Sequence, residues 1–411
     1  MKIRAITLGI DQYQQDKAGL DPGIGSFFTK ANSLFAEQGF QCRTQRIALS
    51  PFVITSSKDE QSARSSIERM SALCKDSGIR WFCVPFHAVK QDMTRINAVA
   101  VDIAGQYKNA FINHIVTENG FLDRRAVLYA SSFIRTVSQL SDNGFDNFRC
   151  GTTFNCKPNG AFFPFTHHCG HNGFSIALEL VPLCVEIIQN NQNKPLEKIR
   201  TEIIDGLLPL LKQIDEINLR IEKNTDMTYF GTDISLAPHP EHPEHSVAYI
   251  VELLGAERFG SNGTAFITSF LTDIIQSLIK RSGIRSTGFN GVMYSVLEDP
   301  RLGVLGSEPE SLSVDSLLVL AAMCGCGIDM VPLPGDTSAE EIASIMLDIA
   351  AIAIRLKKPL GVRLLPIPGK VAGQFTDFDH DFLQNTKIQK VKYRSCPGSL
   401  FDTDKPFSYV S

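Results

Sequence analysis

No run of about 18 consecutive apolar residues occurs in this 411-residue chain, which excludes a membrane-spanning helix. Met1 to Ile10 also lacks the apolar stretch and small-residue cleavage site of a secretory signal. Ile3, Ala5, Thr7 and Gly9 instead alternate there with Lys2, Arg4, Ile6 and Leu8, as in a strand. Positive charge is not in excess. A net charge of -4 and a pI near 6.2 leave no basic stripe for a phosphate backbone, so nucleic acid is not an expected partner. No HExxH or paired CxxC motif, nucleotide-binding loop or nucleophile elbow is present. No Ser/Gly/Pro-rich linker or charge block divides the chain.

With 43% hydrophobic and 20% charged residues the chain can bury a large core, which argues for one globular domain over residues 1–411, with halves at 1–155 and 156–411 as the natural subdivision. The ten cysteines are scattered, several in apolar strand-like settings such as Cys83 and Cys184. Buried reduced thiols are therefore expected, with a cytoplasmic location and no membrane partner.

Short β-branched or aromatic runs predict strands at Ile3 to Ile10, Cys42 to Leu49, Arg80 to Phe86, Ala110 to Val116 and Asn147 to Phe154. Apolar residues at helical spacing predict helices between them, at Gly25 to Gln38, Asp59 to Ser77, Gln91 to Ile103 and Asp123 to Leu140. This alternation points to βα units and a mostly parallel sheet. Further helices are expected at Gly173 to Gln189, Leu196 to Glu222, Ser246 to Leu254, Thr264 to Arg281, Ser311 to Met323 and Ser338 to Leu356. The remaining strands fall at Met227 to Leu236, Ser286 to Val292, Ile328 to Leu333 and Leu360 to Pro366. About nine or ten strands suit a barrel or a large open sheet better than a flavodoxin-like one.

Ligands of parallel α/β proteins sit where loops leave strand ends, so polar loops after strands are the candidate sites. FFPFTHHCGHNG places His167, His168, Cys169 and His171 within five positions, which suits a loop of active-site histidines or a divalent metal held by His167, His168 and His171. GTDISLAPHPEHPEH offers Asp233 and Ser235 at a strand end, while Pro238, Pro240 and Pro243 make its later His239, His242 and His245 read as an extended, solvated loop. GFNGVMYSVLEDPRLG carries the acidic pair Glu298 and Asp299, which could split pKa values, bind a cation or merely face solvent. In CGCGIDMVPLPGD, Asp329 lies inside an apolar strand, where a charge must be paired or functional. The Cys324 and Cys326 pair there reads as redox-active, metal-ligating or simply packed. GVRLLPIPGK supplies Arg363 and Lys370, which could clamp a carboxylate or phosphate, or Arg363 could simply neutralise Asp329.

FFPFTHHCGHNGFSIALE, DISLAPHP, GSNGT, GVMYSVLEDPRLG, CGCGIDMVPLPGDTSAEEIA, KPLGVRLLPIPGKVAG and TDFDHDFLQN, in this order, resemble the Domain of Unknown Function 711 family, also called uncharacterised protein family 0210. The resemblance is specific from Phe162 onward and weak before Arg149. It implies an α/β barrel of about ten strands, made of two parallel half-barrels with helices outside, like the pyruvate formate-lyase barrels. Their chemistry is not implied, because the glycyl radical signature is missing. Position by position, the family pattern selects His168, Glu179, Asp233, Ser235, Glu298, Asp299, Asp329, Asp336, Arg363 and Lys370. Cys169, His171 and Cys326 depart from it.

Two functional expectations follow. In the first, an acid-base enzyme of isomerase, lyase or hydrolase type acts on a small anionic metabolite. His168, Asp233, Glu298, Asp299 and Asp329 would be catalytic, and Ser235, Asp336, Arg363 and Lys370 would bind substrate. In the second, a non-catalytic ligand-binding or assembly protein uses the same pocket. Either could carry a divalent metal, and a homodimer is the expected oligomer.

Overall fold

A computed structural model of the chain describes residues 1–13, 23–306, 312–392, 400–401 and 407–408; Ser311, the expected start of one helix, lies outside them. Nine strands form one sheet: β1 (Lys2–Ile10), β2 (Gln41–Leu49), β3 (Trp81–His87), β4 (Ala110–Ile115), β5 (Cys150–Phe154), β6 (Gly173–Leu178), β7 (Thr228–Asp233), β8 (Gly327–Pro334) and β9 (Leu360–Ile367). Their order is β8-β9-β5-β4-β3-β2-β1-β6-β7. β1 to β5 are all parallel, as are β6 with β7 and β8 with β9. The pairings of β1 with β6 and of β5 with β9 are antiparallel, so the first 154 residues run against the strands that flank them.

The parallel run is built from βα units whose crossovers are α1 (Gly23–Ala36), α2 (Ser57–Asp76), α3 (Met93–Gln106) and α4 (Arg124–Val137). Ser56, Asp92 and Asp123 start the last three by accepting first-turn N–H groups that have no intrahelical acceptor. The later helices are α5 (Val181–Gln189), α6 (Leu196–Asn224), α7 (Val247–Leu253), α8 (Thr264–Ser282), α9 (Pro300–Leu305), α10 (Val314–Met323) and α11 (Ala339–Arg355). α11 starts with a capping box between Ser338 and Glu341. No helix among the described residues is long and apolar enough to cross a membrane.

One expected helix is half wrong. Gly173 to Leu178 is the strand β6, and the helix begins only at Val181, with Pro182 in its first turn. All six strand residues are buried, and a strand covered on both faces reads as an unbroken apolar run that periodicity cannot tell from a buried helix.

The expected strand at Ser286 to Val292 is reduced to isolated bridges. Thr232 pairs with Ser286, Leu236 with Val292, and Ser295 with Asp329, all parallel. Residues 286–295 thus touch β7 on one side and β8 on the other, which are the two edges of the nine-stranded sheet.

Two apolar clusters lie on opposite faces of the strands. The larger joins strand residues to all the long helices. The smaller contains no residue from these helices and gathers Ala48, Cys83, Phe111, Met330 and Leu365 with loop residues such as Phe163 and Leu297. β9 shows the division by its two-residue period: Val362 and Leu364 face the helices, while Leu365 and Ile367 belong to the inner cluster. Arg363 shares the parity of the inner pair.

Candidate functional site

One irregularity in β8 adds an acid to the inner face. Ile328 pairs with Val362 and Val331 with Leu364, so three steps along β8 oppose two along β9. The extra residue is taken up at Met330, whose φ is +53°, and it brings both Asp329 and Met330 to the inner side. Asp329 consequently meets Arg363 on the neighbouring strand. The guanidinium donates through Nε and Nη2 to the two Asp329 oxygens, through the same Nη2 to Glu298 Oε2 at 3.0 Å, and through Nη1 to the Phe148 carbonyl at 3.2 Å. The same Glu298 oxygen also accepts the Ser295 hydroxyl at 2.6 Å.

This triad opens into a cavity whose empty space, about 680 Å³, includes open solvent at its mouth. Aromatic rings form much of its wall, among them Trp81, Phe111, Phe148, Phe163, Phe165 and Phe382. Three more arginines enter it: Arg4 from the start of β1, Arg43 from the start of β2 and Arg46 from farther along the same strand. Arg43 is paired with Glu179 and, at 2.7 Å, with Glu241. Among the described residues, Arg4 donates only to the Pro238 carbonyl at 2.9 Å, and Arg46 only to the Thr44 hydroxyl at 3.0 Å, although Arg46 is just 8% exposed. Burial, with Arg4 beside it, draws the Arg46 guanidinium down to about 9. An arginine scarcely deprotonates, so this shift measures how poorly its charge is compensated.

The two acids on Arg363 are driven apart. Burial raises the Glu298 carboxyl, but Arg363 and Arg4 together with Ser295 outweigh it, and the net direction is down. For Asp329, burial dominates the pull of Arg363, the Glu298 charge adds to it, and the net direction is up. The carboxylates in turn hold Arg363 firmly protonated, above its ordinary value despite burial. Two adjacent acids of opposite tendency are the arrangement from which acid and base roles can be divided.

The loop after β7 contributes His239. It is 7% exposed, and its Nδ1 accepts the Glu241 N–H at 3.2 Å, which leaves the proton on Nε2. That Nε2 is buried without a hydrogen-bond partner. Burial, with Arg4 and Arg43 nearby, holds the ring down to about 3, so it stays a neutral donor. Cys326 also lines the cavity, its thiol donating to the Val292 carbonyl at 3.6 Å, and its closeness to Cys324 draws that thiol down and pushes its own up.

The other residues singled out from the sequence lie elsewhere. Asp233 accepts from the Phe289 and Asn290 N–H groups at 2.7 and 3.2 Å and from both donors of Ser235. Gly288 makes that contact feasible, since a Cβ there would stand 2.1 Å from Asp233 Oδ2. Asp299 caps α9 through Arg301 and Leu302, and also takes the Ser246 hydroxyl and the first N–H groups of α7. Asp336 is on an exposed turn, and Lys370 binds the Phe375 carbonyl and Asp377 at its rim. None of these lines the cavity.

His168 packs against the Cα of Gly9, where a Cβ would stand 2.3 Å from Nδ1. Gly9 lies five steps along the strand from Arg4, roughly 17 Å, so His168 belongs to the opposite end of the sheet from the cavity. Both its ring nitrogens are engaged, by Asn159 Oδ1 at 3.0 Å and the Gly170 carbonyl at 3.1 Å. His171 is exposed beside it. The His167, His168 and His171 set therefore does not offer three free nitrogens in one place. Among the described residues, the group whose donor atoms come within 4.8 Å of one another is His239, Glu241 and His245. It does not suit a divalent ion, because Lys2 and Arg43 already hold the Glu241 carboxylate.

A sequence profile of the family described as Uncharacterised ACR (DUF711) matches residues 1–385. The chain belongs to this family. A UPF0210 protein of Thermoanaerobacter sp. is 25% identical over 420 residues, which cover 95% of this chain and 90% of the relative. Shorter alignments are closer. A UPF0210 protein of Pyrobaculum aerophilum is 32% identical over 181 residues, 44% of this chain and 40% of its own length. One of Methanocaldococcus jannaschii is 34% identical over 184 residues, 44% and 39% respectively. In those two alignments the chain thus spans about two fifths of the relative's length.

In this DUF711 chain, Arg4, Arg43, Arg46 and His239 are the cavity residues that reading the sequence misses. The signal for the arginines is the one that marks Asp329, a charge inside a predicted strand. His239 carries no such signal. The prolines around it suggest a solvated loop, and His242 is indeed exposed, yet His239 is turned inward against Phe382 at 5.4 Å.

Proposed function

We propose that the Arg363 cavity is the active site of an acid-base enzyme whose substrate is a small anionic metabolite. The observation that carries this reading is the company kept by Arg363. Two carboxylates of divergent tendency share one guanidinium, beside Arg4 and Arg46, which among the described residues have no carboxylate within ion-pair distance. Glu298, the more acidic, is the base; Asp329 tunes it through Arg363; His239 donates its Nε2 proton as a hydrogen bond to developing negative charge. The frame, on this proposal, is a ten-stranded barrel of two parallel five-stranded halves, with residues 286–295 as the irregular tenth strand. Their bridges to both sheet edges support it.

A second reading, a binding protein without turnover, is favoured by the fact that both acids are already held by Arg363. The two separate in heavy water. The full chain is screened against small carboxylates and phosphates for a raised melting temperature, and each ligand that binds is followed by proton NMR for C–H exchange or conversion. The enzyme reading expects turnover that falls by about 100-fold in Glu298→Gln while the thermal shift persists. Binding without exchange or conversion would leave only the binding protein, and no thermal shift with any anion would remove both.

A further inference from the structure

Granted that the cavity is the functional site, its charge and its walls restrict the ligand beyond the anion class. Ion pairs at and around it join Lys2, Arg43 and Arg363 to Glu179, Glu241, Glu298 and Asp329. With Arg4 and Arg46 added, five cations face four carboxylates, and one positive charge is left over. A carboxylate, with a single charge, balances it. A phosphate monoester carries about 1.5 to 2 negative charges at neutral pH and would over-fill the site.

Arg46 is where the surplus charge sits most plainly. The rings of Trp81 and Phe163 lie against its guanidinium at 5.3 and 5.2 Å, and of its nitrogens only Nε has an acceptor among the described residues. With its faces given to rings, the group has its N–H edge to offer, and that edge matches the two in-plane oxygens of a carboxylate.

The remaining wall asks for a flat body. Trp81 and Phe111 meet at 5.2 Å and 63°, Phe111 and Phe148 at 5.5 Å and 67°, and Phe111 and Phe163 at 5.5 Å and 58°. Rings tilted in this way continue naturally into another planar π-system, by edge or by face, whereas a hydroxylated sugar would bury polar groups without partners. The His239 Nε2 proton, buried and unpartnered, is the polar group ready for an oxygen of such a ligand.

We propose that the cavity takes a planar monocarboxylate, an arene or enoate acid, with its carboxylate on the N–H edge of Arg46 and its flat body against Trp81, Phe111 and Phe163.

Trp81 is the only tryptophan in the chain, so the fluorescence of the unmodified protein reports directly on this wall. The full chain is titrated at neutral pH with benzoate, cyclohexanecarboxylate and inorganic phosphate. Benzoate is expected to change the emission saturably, with cyclohexanecarboxylate several-fold weaker and phosphate at least about tenfold weaker. Arg46→Met should weaken benzoate by about tenfold or more, and Lys370→Ala should leave it unchanged. If circular dichroism shows Arg46→Met unfolded, Arg46→Lys replaces it, because that variant keeps the charge, loses the planar edge, and should still bind benzoate several-fold more weakly. Phosphate binding as tightly as benzoate, or the two carboxylates binding equally, would overturn the planar-acid assignment while leaving an anion site in place. Retained benzoate affinity in the Arg46 variant would overturn the anchor. Failure of all three probes to bind would overturn the planar-acid assignment, while the acid-base reading would still stand or fall on the wider anion screen.

Discussion

Glu298 and Asp299 are adjacent in the chain and have opposite surroundings. Asp299 faces backbone: amides from two helix N-termini and the Ser246 hydroxyl converge on a carboxylate with no exposed surface. Asp233 has the same kind of environment, with amides of residues 235, 289 and 290 around it. Glu298 and Asp329 instead face a guanidinium at the edge of a cavity. Backbone amides cannot move away from an acid without unfolding the segment that carries them, so acids of the first kind fasten loops. A guanidinium shared by two acids has other partners within reach, and a ligand anion can compete for it. The acids therefore divide by what neutralises them into those locked by backbone and those open to a ligand, and exposure follows the same line, with Asp233 and Asp299 at 0% and the Glu298 side chain at 14%.

The sharpest way to break that division is to remove one acid of each kind. Asp299→Ala strands several buried amides at once and is expected to cost about 4 kcal/mol or more of stability, enough in some conditions to prevent folding. Glu298→Gln keeps the shape and a hydrogen-bonding oxygen, and should cost no more than about 1 kcal/mol. Urea denaturation of both variants checks the contrast, and comparable losses would erase it.

Arg363→Met tests the other half. It leaves two buried carboxylates without their common partner, and should lower stability by about 3 kcal/mol. Neutralising the acids as well, in the triple variant with Glu298→Gln and Asp329→Asn, should return most of that loss, because only polar amides then need partners. Stability recovered without any recovery of anion binding would mark the triad as functional. A triple variant no more stable than Arg363→Met would show that the arginine packs rather than neutralises.

Much of this architecture is written in local patterns, and the site only partly so. The βα alternation of the first 154 residues is visible because each helix has its own apolar stripe and cap, as at Ser56, Asp92 and Asp123. β6 is hidden because a strand covered on both faces has no alternation to show. Asp329 and Arg363 can be picked out as charges in apolar strands, and their mutual pairing can be weighed from the sequence. What no sequence pattern carries is the bulge at Met330 that turns Asp329 inward, or the fold of the proline-rich loop that turns His239 in and leaves His242 out. The loop histidines at 167, 168 and 171 mislead for the complementary reason. Imidazoles close in sequence look like a ligand set, but the backbone assigns the two nitrogens of His168 to Asn159 and Gly170.

A smaller effect extends the comparison to a group that has neither amides nor a counter-ion. His114 in β4 is fully buried, stacked near Phe86 at 5.9 Å and Phe133 at 4.8 Å, and neither ring nitrogen has a partner. Burial alone holds it down to about 3, against 6.5 for a free histidine. Between those values the unfolded chain takes up a proton that the folded one refuses, so stability must fall as pH drops from 6.5 and level off only near the folded value. The contribution of one such group is at most about 1.4 kcal/mol per pH unit. His114→Leu removes the group, so its stability relative to the wild type should improve steadily between pH 6.5 and 4.5 in parallel urea titrations. A difference that stays constant over that range would mean that His114 is already free to protonate in the folded protein, and that burial without a partner is tolerated here for some other reason than neutrality.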